Sequence, residues 1–249
     1  MQTRLLLFIA LFLPLSLQAQ RRLDPDRNKG KAILLYVGAG VHLPGGDLAK
    51  RFGGPTGSAG GGIDFLSAKN LLVGGETYYF FGDKIKEDPL TILRQADGGI
   101  IGNDLSYANF FIHERGIYIG VRVGKVFGTP SKRSGIRATL GAGYMQHKMR
   151  LQDNNFSLTQ VTGEYAKGYD RLTGGLALQQ YLGWQHLGLN RRTNWTVGFE
   201  FAQGFTNTLR SWDYSLMRKL DDRRIDLRFG IRAAWTLPFY LKKAKEIFY

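Results

Sequence analysis

Hydrophobic and polar residues alternate along this chain with a period of two, in run after run. The clearest run is Arg224–Tyr240, R-I-D-L-R-F-G-I-R-A-A-W-T-L-P-F-Y. Its odd positions, Ile225, Leu227, Phe229, Ile231, Ala233, Trp235, Leu237 and Phe239, are apolar without interruption. Its even positions include Asp226, Arg228, Gly230, Arg232, Ala234 and Thr236. Successive side chains of a strand point to opposite faces, so this period predicts a β-strand. A soluble strand seldom needs so long an apolar face with charges directly behind it. A membrane-spanning barrel strand needs both, lipid outside and a packed polar interior.

The same period recurs upstream. Ile33, Leu35, Val37, Ala39, Val41 and Leu43 alternate with Leu34, Tyr36, Gly38, Gly40 and His42, and Pro44, which cannot donate to a ladder, is expected to end that strand. Further strands are expected over Ser58–Ser67, Leu71–Phe81, Leu105–Phe127, Ile136–Met149 and Leu172–Leu187, and around Trp195, Val197, Phe199 and Phe201. In the fourth, Ile117, Ile119, Val121 and Val123 oppose Tyr118, Gly120, Arg122 and Gly124, while Ser106–Glu114 reads as its continuation above the membrane. The total is about eight strands, with ten as the alternative. The connectors alternate. A glycine-rich segment after Pro44, then Asp83–Asp104, Leu151–Asp170 and Asn207–Arg223 are long; Ala68–Asn70, Gly128–Ser134 and Gly188–Thr193 are short. One or two helical turns are expected at Pro89–Arg94. Even strand numbers, short periplasmic turns and longer extracellular loops characterise outer-membrane barrels. The expected fold is therefore all-β, an antiparallel transmembrane up-and-down β-barrel over residues 32–240, with both termini periplasmic. A soluble lipocalin-like barrel would put its apolar side chains inside. Here the charges share a face with Gly and Tyr.

The ends carry other signals. Met1–Gln20, with Arg4 ahead of the apolar Leu5–Leu15, reads as a secretory signal peptide; that core is short for a membrane-anchoring helix. Residues 21–31 read as a periplasmic lead-in, and 241–249 as a basic tail ending in the aromatic Tyr249. The mean hydropathy of −0.21 excludes a bundle of transmembrane helices but not a barrel, whose strands are apolar on one face only. The chain has no cysteine, which excludes disulfides, thiolate zinc sites and a lipidated N-terminal cysteine. Its net charge of +14 is spread over loops and strand faces rather than gathered on one patch, so anionic membrane lipid is the expected neighbour, not nucleic acid.

Parity along the strands collects Asp64, Glu76, Glu200 and Asp226 on the inner face with Arg122, Arg137, Arg228 and Arg232. An eight-stranded interior is just filled by side chains, and buried charges must pair, so these residues predict a salt-bridge network that plugs the barrel. A narrow channel for small polar solutes is the alternative. An enzymatic reading would use His42 and His147, near the outer strand ends, and could draw His147, Ser157 and Glu164 as a catalytic set. No nucleophile motif surrounds Ser157, so no catalytic residue is assigned. None of His42, His113, His147 and His186 has metal-ligand spacing, and Gly45-Gly46 and Gly53-Gly54 lack the ending of a phosphate loop, so no metal or cofactor is expected. Leu227, Phe229, Trp235, Phe239 and Tyr249 fit the closing-strand signal read by barrel assembly machinery.

Five segments carry a resemblance: Gly45–Gly54 (G-G-D-L-A-K-R-F-G-G), Tyr107–Gly116 (Y-A-N-F-F-I-H-E-R-G), Gly141–Lys148 (G-A-G-Y-M-Q-H-K), Gly168–Ala177 (G-Y-D-R-L-T-G-G-L-A) and Leu237–Tyr240 (L-P-F-Y). With the terminal aromatic, they resemble a family of small outer-membrane barrels of Bacteroidetes-type bacteria, and more generally OmpA-type transmembrane barrels. The resemblance implies a single barrel in the outer membrane and no settled activity. The expected role is that of a non-enzymatic barrel, structural or an accessory subunit of an envelope assembly or secretion complex. Its expected partners are outer-membrane lipid and lipopolysaccharide, the assembly machinery during insertion, and other outer-membrane proteins. A lipid-modifying enzyme at the outer rim is the remaining alternative.

Overall fold

The computed structural model of the chain describes residues 28–129, 133–155 and 157–241. The signal-peptide reading, most of the lead-in, the residues beyond Leu241 and Tyr249 fall outside these. Eight strands form one sheet: β1 (Lys31–Gly46), β2 (Thr56–Leu66), β3 (Leu71–Gly82), β4 (Phe110–Phe127), β5 (Gly135–Asp153), β6 (Thr173–Leu187), β7 (Asn194–Thr208) and β8 (Arg224–Leu241). Each is antiparallel to the next, and β8 pairs with β1 to close the ring. The strands extend one residue beyond 32–240 at each end.

The register fixes the shape. Following paired residues from Ile33 through Phe65, Val73, Val123, Leu140, Gln180, Phe201 and Phe229 returns to β1 at Leu43, a stagger of ten residues. Eight strands with that stagger tilt by roughly 40° and enclose a backbone radius of roughly 8 Å.

Several boundaries differ from expectation; β5, for one, runs on to Asp153 rather than ending at Met149. Pro44 does not end β1; it pairs with Arg228, and the strand runs on to Gly46. The Asp47 N–H donates to the Ile225 carbonyl at 2.9 Å, so odd residues of β1 face β8 and the missing N–H of Pro44 faces β2. There β2 has already ended, at Thr56 opposite His42, and the ladder loses nothing. The fourth strand begins at Phe110 rather than Leu105, because residues 106–109 belong to a folded loop in which Tyr107 bridges Ile101.

Alternation places Val37, Ile119 and Phe199 outside at 63%, 57% and 70% exposure, and Asp64, Glu76 and Arg122 inside at 0%, 5% and 4%. Apolar residues thus cover the outer wall of the barrel and charges fill it, the arrangement of a transmembrane barrel. One part of the interior departs from this. At the end of the short turns, Leu34, Leu66, Leu72, Val126 and Leu187 point inward and pack with Ala32 and Tyr240 into an apolar floor. Asn28, in the lead-in, donates to the Leu187 carbonyl at 3.1 Å at this end.

Candidate functional site: a charged plug and a tied loop cap

The inward parity of each strand builds a belt of charge across the barrel. Asp64 (β2) accepts from Arg122 (β4) Nε at 3.0 Å and Nη2 at 2.6 Å, and from Arg137 (β5) at 2.7 Å. Glu76 (β3) accepts from Arg122 at 2.7 Å, from Arg232 (β8) at 3.2 Å and from the Tyr36 (β1) hydroxyl at 3.2 Å. Glu200 (β7) pairs with Arg232 at 2.7 Å and lies 3.2 Å from His42 (β1) Nε2. Arg137 also donates to Gln185 (β6) at 3.0 Å. The belt therefore draws a member from every strand. Two of its guanidiniums lie on aromatic faces, Arg122 4.5 Å from the Tyr36 centroid and Arg232 4.5 Å from Tyr78 and 5.0 Å from Tyr181. Glycines leave room for these rings: a Cβ at Gly62 would strike the Tyr36 hydroxyl, and one at Gly120 the Tyr118 hydroxyl. The space left between Tyr36, Tyr78, Arg122, Arg137, Tyr181 and Arg232 is about 10 Å³, enough for about one water and no solute.

Nearer the loops the interior carries separate pairs. Arg228 binds Glu114, which also accepts from Thr56 at 2.7 Å, and Arg228 lies 4.4 Å from the Phe80 centroid. Asp226 meets His147 Nε2 at 2.9 Å, Thr206 Oγ1 at 2.5 Å and Arg224 at 3.2 Å. The first long loop, L1 (47–55), then closes the mouth. Its helix α1 (Leu48–Arg51) is too short to stand alone, and holds because Leu48 and Phe52 pack on Met149 inside the rim. Phe52 meets the His147 ring edge-on at 5.8 Å.

The other loops are L2 (83–109), L3 (154–172) and L4 (209–223). L2 and L3 share a small core of Leu90, Ile100, Leu158, Val161 and Tyr169. One chain of ions joins all four loops. Glu87 of L2 lies 3.3 Å from Arg51 of L1 and binds Arg171 of L3, which lies 3.4 Å from Asp213 of L4. Arg210 of L4 adds a two-pronged bond to Asp170 at 2.9 and 2.5 Å, which holds its guanidinium above the usual arginine pKa.

Of the eight interior charges expected from parity, the structure joins Asp64, Glu76, Arg122, Arg137, Glu200 and Arg232 in one belt. Asp226 and Arg228 sit apart from it, with His147 and Glu114 as partners. Glu114 went unassigned by sequence although it shares the even parity of Arg122, because that stretch read as lying above the membrane. His42 and His147 are buried against carboxylates rather than presented at a rim. The drawn catalytic set is not assembled: Ser157 bonds Asp153 at 3.4 Å and Glu164 bonds Lys167 at 2.6 Å. Among the described residues no group of three His, Cys, Asp or Glu is placed to hold a metal. Leu227, Phe229, Trp235 and Phe239 all lie on the outward face of β8, where Phe229 stacks on Phe201 at 4.7 Å.

Fold and interior together define an eight-stranded transmembrane up-and-down barrel with a packed interior. No protein-family model matches the chain, and no curated protein matches it by sequence. Solved structures do. Ail, the attachment invasion locus protein of Yersinia pestis, solved with the heparin analogue sucrose octasulfate, is 14% identical with a TM-score of 0.41, over 85% of this chain and 99% of that one. Neisserial surface protein A is 10% identical with a TM-score of 0.46, over 84% and 99%. A major outer membrane protein of Thermus thermophilus is 11% identical with a TM-score of 0.46, over 83% and 98%.

Proposed function

We propose that this chain is a sealed, non-enzymatic barrel of the outer membrane, and that it acts through its loop cap as a structural or accessory subunit of an envelope complex. The observation that carries the reading is the closure of the interior at three successive levels: the apolar floor, the charge belt and the L1 stopper. A scaffold needs a rigid wall and an exposed face; a channel needs a path, and a rim enzyme needs a free nucleophile. The long loops then face the exterior and both termini the periplasm, a reading supported by the even strand number and the alternation of long and short connectors.

The cap supplies the exposed face, since binding surfaces tend to be loops held by a rigid scaffold. Leu105 at the tip of L2 is 87% exposed with φ +60°, and Met217 at the tip of L4 is 64% exposed with φ +51°. Left-handed backbone at exposed apolar residues is costly, and such strain clusters at binding sites. Trp212 and Leu216 extend the apolar surface of L4. The test is extraction of the native protein from outer membranes in mild detergent, with mass spectrometry of what accompanies it. A stoichiometric envelope partner, lost on Leu105→Ser with Met217→Ser, is expected. A clean monomer would refute the accessory role.

A further inference from the structure

On the outward face of the eight strands, acidic residues are absent: Asp64, Glu76, Glu114, Asp153, Glu200 and Asp226 all point inward. Cations are not absent. In the loop half of the wall they are confined to two neighbouring strands, Arg115 on β4 and Lys148 and Arg150 on β5. Arg115 stands directly opposite Lys148, and Arg150 opposite His113. Like charges set directly across a ladder repel. Among the described residues Arg115 donates only to the Glu114 carbonyl, at 2.7 Å. The adjacent Asp83 is engaged by His113 Nδ1 at 2.7 Å. Lys148 and Arg150 have no ion pair or hydrogen bond from their side chains among the described residues.

The height of the cluster is set by β4. Its outward residues between Arg115 and Lys125 are Ile117, Ile119, Val121 and Val123. Ten residues at the barrel tilt rise by roughly 26 Å, close to the apolar band of a barrel wall, so Arg115 marks one interface and Lys125 the other. The surface is also concave here. Tyr79, Ile117 and Gln146 floor a groove of about 420 Å³ rimmed by Arg115, Lys148 and Arg150.

We propose that this groove binds a phosphorylated lipid of the outer leaflet, its phosphate on Arg115, Lys148 and Arg150 and its first acyl carbons along Tyr79 and Ile117. The inference rests on the outer-membrane reading given above. A lipid fits better than a soluble anion because the charges border the apolar surfaces of Tyr79 and Ile117, which continue into the wall.

The test uses the full mature chain folded in zwitterionic detergent, with bound lipid counted by native mass spectrometry. The probes are bis-phosphorylated lipid A, the same lipid without phosphates, and inorganic phosphate. One molecule of the phosphorylated lipid is expected per barrel. Removing its phosphates, or making Arg115→Gln, Lys148→Gln and Arg150→Gln together, should weaken binding on the order of 100-fold at low salt, at about tenfold or less per charge. Lys31→Gln with Lys125→Gln, on the same wall, should leave binding unchanged. Heat-modifiable migration reports folding; if the triple variant does not fold, the exposed Lys148→Glu should lower affinity at least tenfold. Equal binding by the variants or by the dephosphorylated lipid would overturn the site. So would displacement by inorganic phosphate, which would mark a free-anion site. Insertion of the wild type into vesicles is scored separately: failure there refutes the membrane reading, whereas insertion without lipid binding refutes this inference alone.

Discussion

The charge belt and the loop cap are both held by arginine–carboxylate chains, yet they do different work. In the belt, Arg122 and Asp64 are nearly inaccessible and locked into two-pronged geometry. In the cap, Glu87 is a third exposed while it links Arg51 to Arg171. The belt is enclosed by a sheet that cannot rearrange without breaking its ladders. The cap has no continuous ladder: its loops are joined by ion pairs, by two small apolar clusters and by scattered backbone bonds, such as Lys86 N–H to the Arg51 carbonyl, Asn103 N–H to Ser157 and Tyr214 N–H to Gly168. The same kind of ion pair therefore seals in one place and positions an exposed surface in the other, because desolvation sets what a broken pair costs.

The largest expected break is Asp64→Ala. It strips Arg122 and Arg137 of their shared carboxylate, and uncompensated buried charge costs about 3–5 kcal/mol. The folded, heat-modifiable form should unfold at markedly lower urea. If the urea midpoint of Asp64→Ala equals that of the wild type, the belt is not what holds the interior.

Gly62→Ala should come next. Its Cβ meets the Tyr36 hydroxyl and the Gly75 carbonyl, and overpacking costs about 1–3 kcal/mol. Adding Tyr36→Phe should restore part of the loss, and a double-mutant cycle measures how much.

Glu87→Gln should cost about 1 kcal/mol or less in global stability, given its exposure. It should nevertheless speed proteolysis of L2 and L4 severalfold while the barrel stays intact. Equal loop and barrel sensitivity would mean that cap and belt form a single cooperative unit.

The smallest effect belongs to acid. Asp47 at the start of L1 is held below the usual carboxylate pKa by the Lys50 ammonium and the Ile225 N–H, at 2.7 and 2.9 Å. A lowered folded-state pKa adds stability above the ordinary value of about 3.9 that is lost as pH falls further. Hydrogen exchange across residues 47–52 should quicken as pH drops from about 4 toward 2 after correction for intrinsic rates, and Asp47→Asn should flatten that response.

How much of this was legible in the sequence follows the same division. Period two is a physical property of strands, so parity assigned Asp64, Arg122, Glu200 and Arg232 to the inside without coordinates. It failed where the period was read too narrowly. Glu114 keeps the even parity of Arg122 but precedes the clear apolar alternation, and Leu34 and Leu72 carry inward parity with apolar side chains. Pro44 misled because a missing N–H matters only where a neighbouring strand is present to accept it. The cap was illegible for a deeper reason. Loops have no period, and nothing in L-A-K-R-F shows that Leu48 and Phe52 fold back into the mouth, or that Glu87 meets Arg171, 84 residues away.

Single-channel recording of the folded chain in planar bilayers shows whether the interior is closed. No stable conductance steps are expected from the wild type, with Asp64→Ala opening at most brief, irregular ones. Steady ohmic steps from the wild type, altered in size by Arg122→Ala or Glu200→Ala, would contradict a closed interior and would make the belt the lining of a pore.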